Sequence, residues 1–216
     1  MKKLSVYLLL PLFLFTFILV PVHARTVHAR SDKNMSFNKA IRDLKMTERK
    51  LWIDHVLWTR SFIVSDLASL QDKEAVLERL LKNQDDIGAS IKPYYGEEAG
   101  NKLSALLREH ITLAGQVVNA VATGDNAALE KYNKLWYENA DQIAAFLSSA
   151  NPHYSEQALK DMLYTHLQLI KDQVTARINK NWQADITAFD KGEDHMIMFA
   201  DMLTEGIIKQ FPQKFQ

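Results

Sequence analysis

Between residues 103 and 119 the chain sets Leu103, Leu106, Leu107, His110, Leu113, Ala114 and Val117 at i, i+3, i+4, i+7, i+10, i+11 and i+14. Residues at that spacing share one side of a helix, so the stretch predicts an amphipathic helix with a histidine in the middle of its apolar stripe. The stripe returns 56 residues later. Leu103 then falls on Leu159, Leu107 on Leu163, His110 on His166, Leu113 on Leu169, Val118 on Val174 and Ala120 on Ala176, with no gap. Moving back by 55 puts His110 on His55, which is flanked by Leu51, Trp52, Trp58 and Phe62.

Turn signals divide the rest of the chain at Gln71-Asp72, Lys92-Pro93-Tyr94-Tyr95-Gly96, Thr123-Gly124-Asp125-Asn126 and Asn151-Pro152. Nothing between them alternates with a period of two, so no strand is expected. The first helix should start near Thr47 as its N-cap and carry Leu51, Trp52, Val56, Trp58, Phe62 and Leu67. A second, about 73–91, is capped by Asp72; a third covers about 97–122; a fourth, about 126–148, is capped by Asp125. From 155 to 190 the apolar pattern could run as one helix. The period places Thr123-Gly124-Asp125 on Asn179-Lys180-Asn181, however, and so predicts a fifth helix over about 156–178 and a sixth over about 182–210, with a kink at Gly192. The expected fold is all-α: a six-helix bundle built from three αα-hairpins with an internal repeat of about 56 residues. A bundle is expected rather than a stack because the units differ too much to stack interchangeably.

The ends change the picture more than the composition does. Met1-Lys2-Lys3 is a positive start, residues 4–22 are almost wholly apolar, and Val22-His23-Ala24 offers small residues where a leader is cut; Val27-His28-Ala29 is a second such site. The expected organisation is a signal peptide over 1–24, a polar linker over 25–45 and the helical domain over 46–216, giving a secreted or cell-surface protein. An uncleaved membrane anchor is the alternative. Lys+Arg and Asp+Glu balance at 26 each, and removing Lys2 and Lys3 with the leader leaves −2. So small a charge offers no nucleic acid or anionic membrane an electrostatic hold, and a membrane enters only through the leader. With no cysteine, disulfides, thiolate metal sites and thiol catalysis are excluded.

Candidate chemistry centres on the recurring histidine. His55, His110 and His166 are joined by His195 in the last helix, and Asp85, Asp141 and Asp194 fall at about the same level of their hairpins. One reading is a buried polar core in which each imidazole is satisfied by the aspartate of its own hairpin and no cofactor is needed. A second is a zinc or iron site, since imidazoles and carboxylates from several helices are the ligands such metals take; Glu-x-x-His and His-x-x-x-His spacings are both missing. A third, acid–base catalysis by His with Asp, finds no recurring nucleophile beyond Thr59, one turn from His55, and an active site seldom needs its base three times. Tyr94, Tyr95 and Tyr154 lie in the connections between hairpins, at one end of the bundle. There they would either contact a partner protein or a cell-wall component, or close the bundle's end. Trp52, Trp58, Trp136 and Trp182, with Met196, Met198 and Met202, are expected in the core.

Several segments resemble a family of exported helical proteins from Bacillus, Clostridium and their relatives. They are Trp58-Thr59-Arg60 after Asp54-His55-Val56, Arg79-Leu80-Leu81 with Asn83, Pro93-Tyr94-Tyr95-Gly96, the 106–111 stretch, Trp136-Tyr137 with Asn139-Ala140-Asp141, and Phe199-Ala200-Asp201-Met202 through 204–211. The resemblance covers most of the chain after residue 50 and implies an exported helical protein with no established activity. Its members often carry borrowed names such as glycosyltransferase or acetylglutamate kinase. The residues do not support those names: seven singly placed glycines in a helical chain supply no phosphate cradle. Relatives tend to have glycine where this chain has Lys180, which implies a turn there.

Overall fold

A computed structural model describes residues 23–215, with side chains from residue 39 onward; the expected leader lies outside these residues except for its last two. The described chain is helical: α1 His23–Leu67, α2 Lys73–Thr123, α3 Asn126–Ala150, α4 Glu156–Ile178 and α5 Trp182–Gln210, followed by a 3-10 turn over Pro212–Phe215. Neighbours in sequence pack together, and α1 also packs on α5, so the helices form a closed bundle rather than an open stack.

There are five continuous helices where six separate ones were expected, because the second and third run together as α2. The join is Gly96, at φ 86° and ψ 171°, a backbone conformation that a side chain would oppose. There α2 folds back on itself. A Cβ on Gly88 would lie 2.5 Å from the carbonyl oxygen of Gly100, and one on Gly100 2.6 Å from that of Gly88, so only glycines let the two halves lie this close.

Three turns share one closure. Ser69, Gly124 and Lys180 sit at φ 53°, 69° and 56°, and the next residue's N–H reaches back across each turn: Leu70 to Ser65 O at 2.8 Å, Asp125 to Ala120 O at 3.0 Å, Asn181 to Ala176 O at 2.8 Å. This left-handed stop satisfies carbonyls that a helix end would leave free. The following helices start on side-chain caps where Asp125 accepts from Ala128 N and Asn181 from Ala184 N. Asp72 stands at the start of α2 but makes no capping bond.

Other expectations need correcting. The region 25–45, expected as a linker, lies within α1, and at its end Ala40, Ile41 and Leu44 continue the apolar stripe onto the core. Thr47 is therefore interior, its hydroxyl donating to Asp43 O, and not an N-cap. α5 runs through Gly192 without a break. Met198 is 57 % exposed, because it lies about 200° around the helix from the buried Met196 and Ala200. Trp182, in the first turn of α5, is 54 % exposed and lies against Arg177.

Candidate functional site

The chain reverses at each turn, so α1, the second half of α2 and α4 run the same way and bring their mid-stripe histidines to one level. His55, His110 and His166 are all buried, at 2 %, 4 % and 4 % exposure. Nε2 of His55 lies 3.4 Å from Nε2 of His166, and the His110 ring is stacked on His166 with centroids 6.3 Å apart.

Their neighbours fix the proton positions. Trp136 Nε1 can only donate, and it donates to His110 Nε2 at 3.1 Å; His110 Nδ1 must then carry the proton, which it gives to Asn139 Oδ1 at 2.8 Å. Gln84 Nε2 faces His55 Nδ1 at 3.3 Å, which makes that nitrogen the acceptor and leaves His55 Nε2–H to donate to His166. His166 Nδ1 has no partner among the described residues.

A second pattern ties each hairpin together. Asn83 Nδ2 donates to Leu51 O at 3.0 Å, Asn139 Nδ2 to Leu106 O at 3.2 Å, and His195 Nε2 bonds Met162 O at 2.7 Å. In each case the carbonyl belongs to the residue four before the central histidine of that hairpin. Each clasp thus uses the spare lone pair of a helical carbonyl to set the register of the paired helix. His195 therefore belongs to the clasps and does not join the imidazole layer.

The aspartates do not partner the histidines. Asp85 faces Arg108 at 3.1 Å with its side chain 42 % exposed, and Asp141 accepts from the Tyr164 hydroxyl at 2.7 Å with 41 % exposure. Asp194 is exposed. The reason is angular: Asp85 and Asp141 lie two residues beyond Asn83 and Asn139, about 200° around the helix. The partners are amides: Gln84 for His55 and Asn139 for His110. Asn139 and the clasp residue Asn83 are 56 apart and lie on the stripes of Trp136, Ile143 and Leu147 and of Leu80, Ile87 and Ile91, so their inward direction was legible from the spacing.

Burial without a countercharge governs the electrostatics of the layer. It pulls His55 down to about 3, with His110 adding repulsion, and His110 down to about 4, with Asn139 opposing; His166 is held well below the ordinary imidazole range. All three are therefore neutral near pH 7. Both ring nitrogens of His110 are engaged, and no three metal-binding groups converge among the described residues, so the zinc or iron reading has no ligand set here.

Tyr94, Tyr95 and Tyr154 pack on the end of the bundle, Tyr154 buried and Tyr94 and Tyr95 half-buried. Tyr94 stacks on Phe215, Tyr95 accepts a hydrogen bond from Asn151 Nδ2 at 2.8 Å, and the buried Tyr154 donates to Leu203 O. These contacts tie the connections to the core and close this end of the bundle. Beside them lies a residue that sequence reasoning passed over. Glu48 is 1 % exposed, and its Oε1 and the nearby Trp52 Nε1 both lack partners among the described residues. Burial pushes its carboxyl up to about 7, with Ser90 and Trp52 pulling weakly the other way. Its spacing to Leu44, Trp52 and His55 placed it on the stripe, but a helix begun at Thr47 made it a first-turn residue and hid this.

Fold and site together define a closed all-α bundle with a buried, neutral imidazole layer. Comparison of the chain with protein-family models, curated proteins and solved structures finds no match.

Proposed function

We propose that this chain is an exported helical module that binds or braces a component of the cell surface or its surroundings, using its outer helix faces. The observation that carries the reading is the use made of the histidines. Imidazoles are the side chains best suited to chemistry near neutral pH, yet here they are directed at one another, at Trp136 and at core amides, which holds helices in register. The positive, apolar and small-residue segments of the first 24 residues support export, as does the resemblance to exported helical proteins.

Two measurements test the reading. Expression of the full chain in a Gram-positive host should deliver protein to the medium or the cell surface, and the purified domain should bind a cell-wall fraction saturably. Retention in the cytoplasm, or binding that never saturates, overturns it. Elemental analysis of protein purified without a His-tag is the companion test, since a stoichiometric transition metal would replace this reading with the zinc or iron one.

A further inference from the structure

The imidazole layer has a property that a merely satisfied core does not need. It draws one histidine from each of α1, α2 and α4, and the groups facing it supply no negative charge. From α1 comes Trp52; from α2 Gln84; from α3 Trp136 and Asn139; from α5 His195, bonded to the carbonyl one turn before His166. The one carboxylate bonded into this network among the described residues is Glu109, an exposed side chain that accepts from Asn139 Nδ2 at 3.3 Å and is one residue removed from the rings. Asp85 and Asp141 face Arg108 and Tyr164 instead.

Each ring therefore lacks a place for an added proton. A proton on His110 Nε2 would displace the Trp136 indole, and one on His55 Nδ1 would oppose the Gln84 amide. A charge on either ring would lie close to His166, whose ring centroid is 5.4 Å from that of His55 and 6.3 Å from that of His110. The first proton thus breaks a core hydrogen bond, and the opening it causes exposes the other two rings.

From this arrangement we infer that His55, His110 and His166 form an acid-operated latch: neutral, they lock α4 against α1 and α2, and on mild acidification they take up protons together and release the bundle in one step. Chain packing elsewhere does not set this threshold. The salt bridges of Asp185 and Asp201 hold their carboxyls below the usual range and fail only in stronger acid.

The test is a proton count. Urea unfolding at a series of pH values from 5.5 to 4.5 should show the unfolding constant rising with about the second power of proton concentration: three protons gained at the latch, less most of the one that the buried Glu48 gives up on unfolding. Trp52 and Trp136, which pack on His55 and His110, report the opening by fluorescence. His166→Gln should lower that power by about one, a change that simple loss of packing would not produce. If this variant does not fold, the wild-type count and the titration of the wild-type imidazole proton resonances decide. A power below one overturns the latch, as do imidazoles of the layer that titrate separately near pH 6.5 with the tryptophan signal unchanged.

Discussion

Asn139 holds His110 from two directions. Its Oδ1 accepts the Nδ1 proton of the imidazole at 2.8 Å, while its Nδ2 donates to Leu106 O, one turn before that histidine, at 3.2 Å. One amide therefore fixes both the tautomer of a buried ring and the register of α3 against α2.

Removing that amide should be expensive. Asn139→Ala leaves a buried N–H donor unpaired and is expected to lower the urea-unfolding free energy by about 2–3 kcal/mol. Asp141→Ala, on the outer face of the same helix, should cost less than about 0.5 kcal/mol. Equal losses for the two variants would show that the aspartate shares the core role.

Glu48 opposes the histidines between acid and neutral pH. Its folded value of about 7 lies above the ordinary 4.5, so between those limits the folded chain binds a proton that the unfolded chain has lost. Stability therefore falls as pH rises from 4.5 to 7 and stays lowered above that. Glu48→Gln should raise stability by roughly 2–3 kcal/mol at pH 8 and change it little at pH 4.5. A wild-type and variant pair with the same difference at both pH values would refute the assignment.

The histidines act in the opposite sense. Their folded values lie below 6.5, so stability is full above that pH and declines as pH falls toward about 4 and 3 for His110 and His55. Three imidazoles outweigh the one carboxyl of Glu48 across this window, so the wild-type melting temperature should rise with pH and level off above about pH 7. A plateau extending from pH 5 to 9 in a thermal melt series would be inconsistent with the buried imidazoles.

Two of the three matching turns carry a side chain where the backbone is left-handed. Lys180→Gly and Ser69→Gly should each stabilise by about 0.5–1 kcal/mol, because glycine adopts this conformation without a clash. Gly124→Ala should lose a similar amount. Chemical denaturation of the three single variants checks the pattern, and a loss on Lys180→Gly would contradict it.

Gly206 and Gly115 form a contrasting pair. A Cβ at Gly206 would lie 1.9 Å from the Tyr154 ring, whereas at Gly115 it would meet Phe62 at an ordinary 3.6 Å. Gly206→Ala is expected to cost about 2–3 kcal/mol by forcing the Tyr154 ring off Leu203. Gly115→Ala should gain about 0.5–1 kcal/mol from helix propensity. Thermal unfolding of both variants separates the two cases, and a Gly206→Ala protein as stable as wild type would show that the ring can yield.

The helical spacing of Leu103, Leu107 and His110 was legible because burial of one helix face leaves a periodic mark on the residues themselves. The turns at Gly124 and Asn179-Lys180-Asn181 were legible for a related reason: a left-handed stop favours a few residue types, and the repeated spacing exposed one that lacks glycine. The start of α1 was less so. Ile41 and Leu44 continue the stripe only weakly in a polar stretch, and their burial depends on distant residues packing against them.

By itself the sequence determined the all-α class, the stripes and the three histidines on them, since these are local consequences of spacing and turn chemistry. Only the tertiary structure decided what those histidines touch. Asn139 faces inward and Asp141 outward through a rotation of about 200° between them, and His55 meets His166 across 111 residues. The direction of a side chain in a closed bundle is set by how all the helices pack, and neither a residue's type nor its position in the chain specifies that.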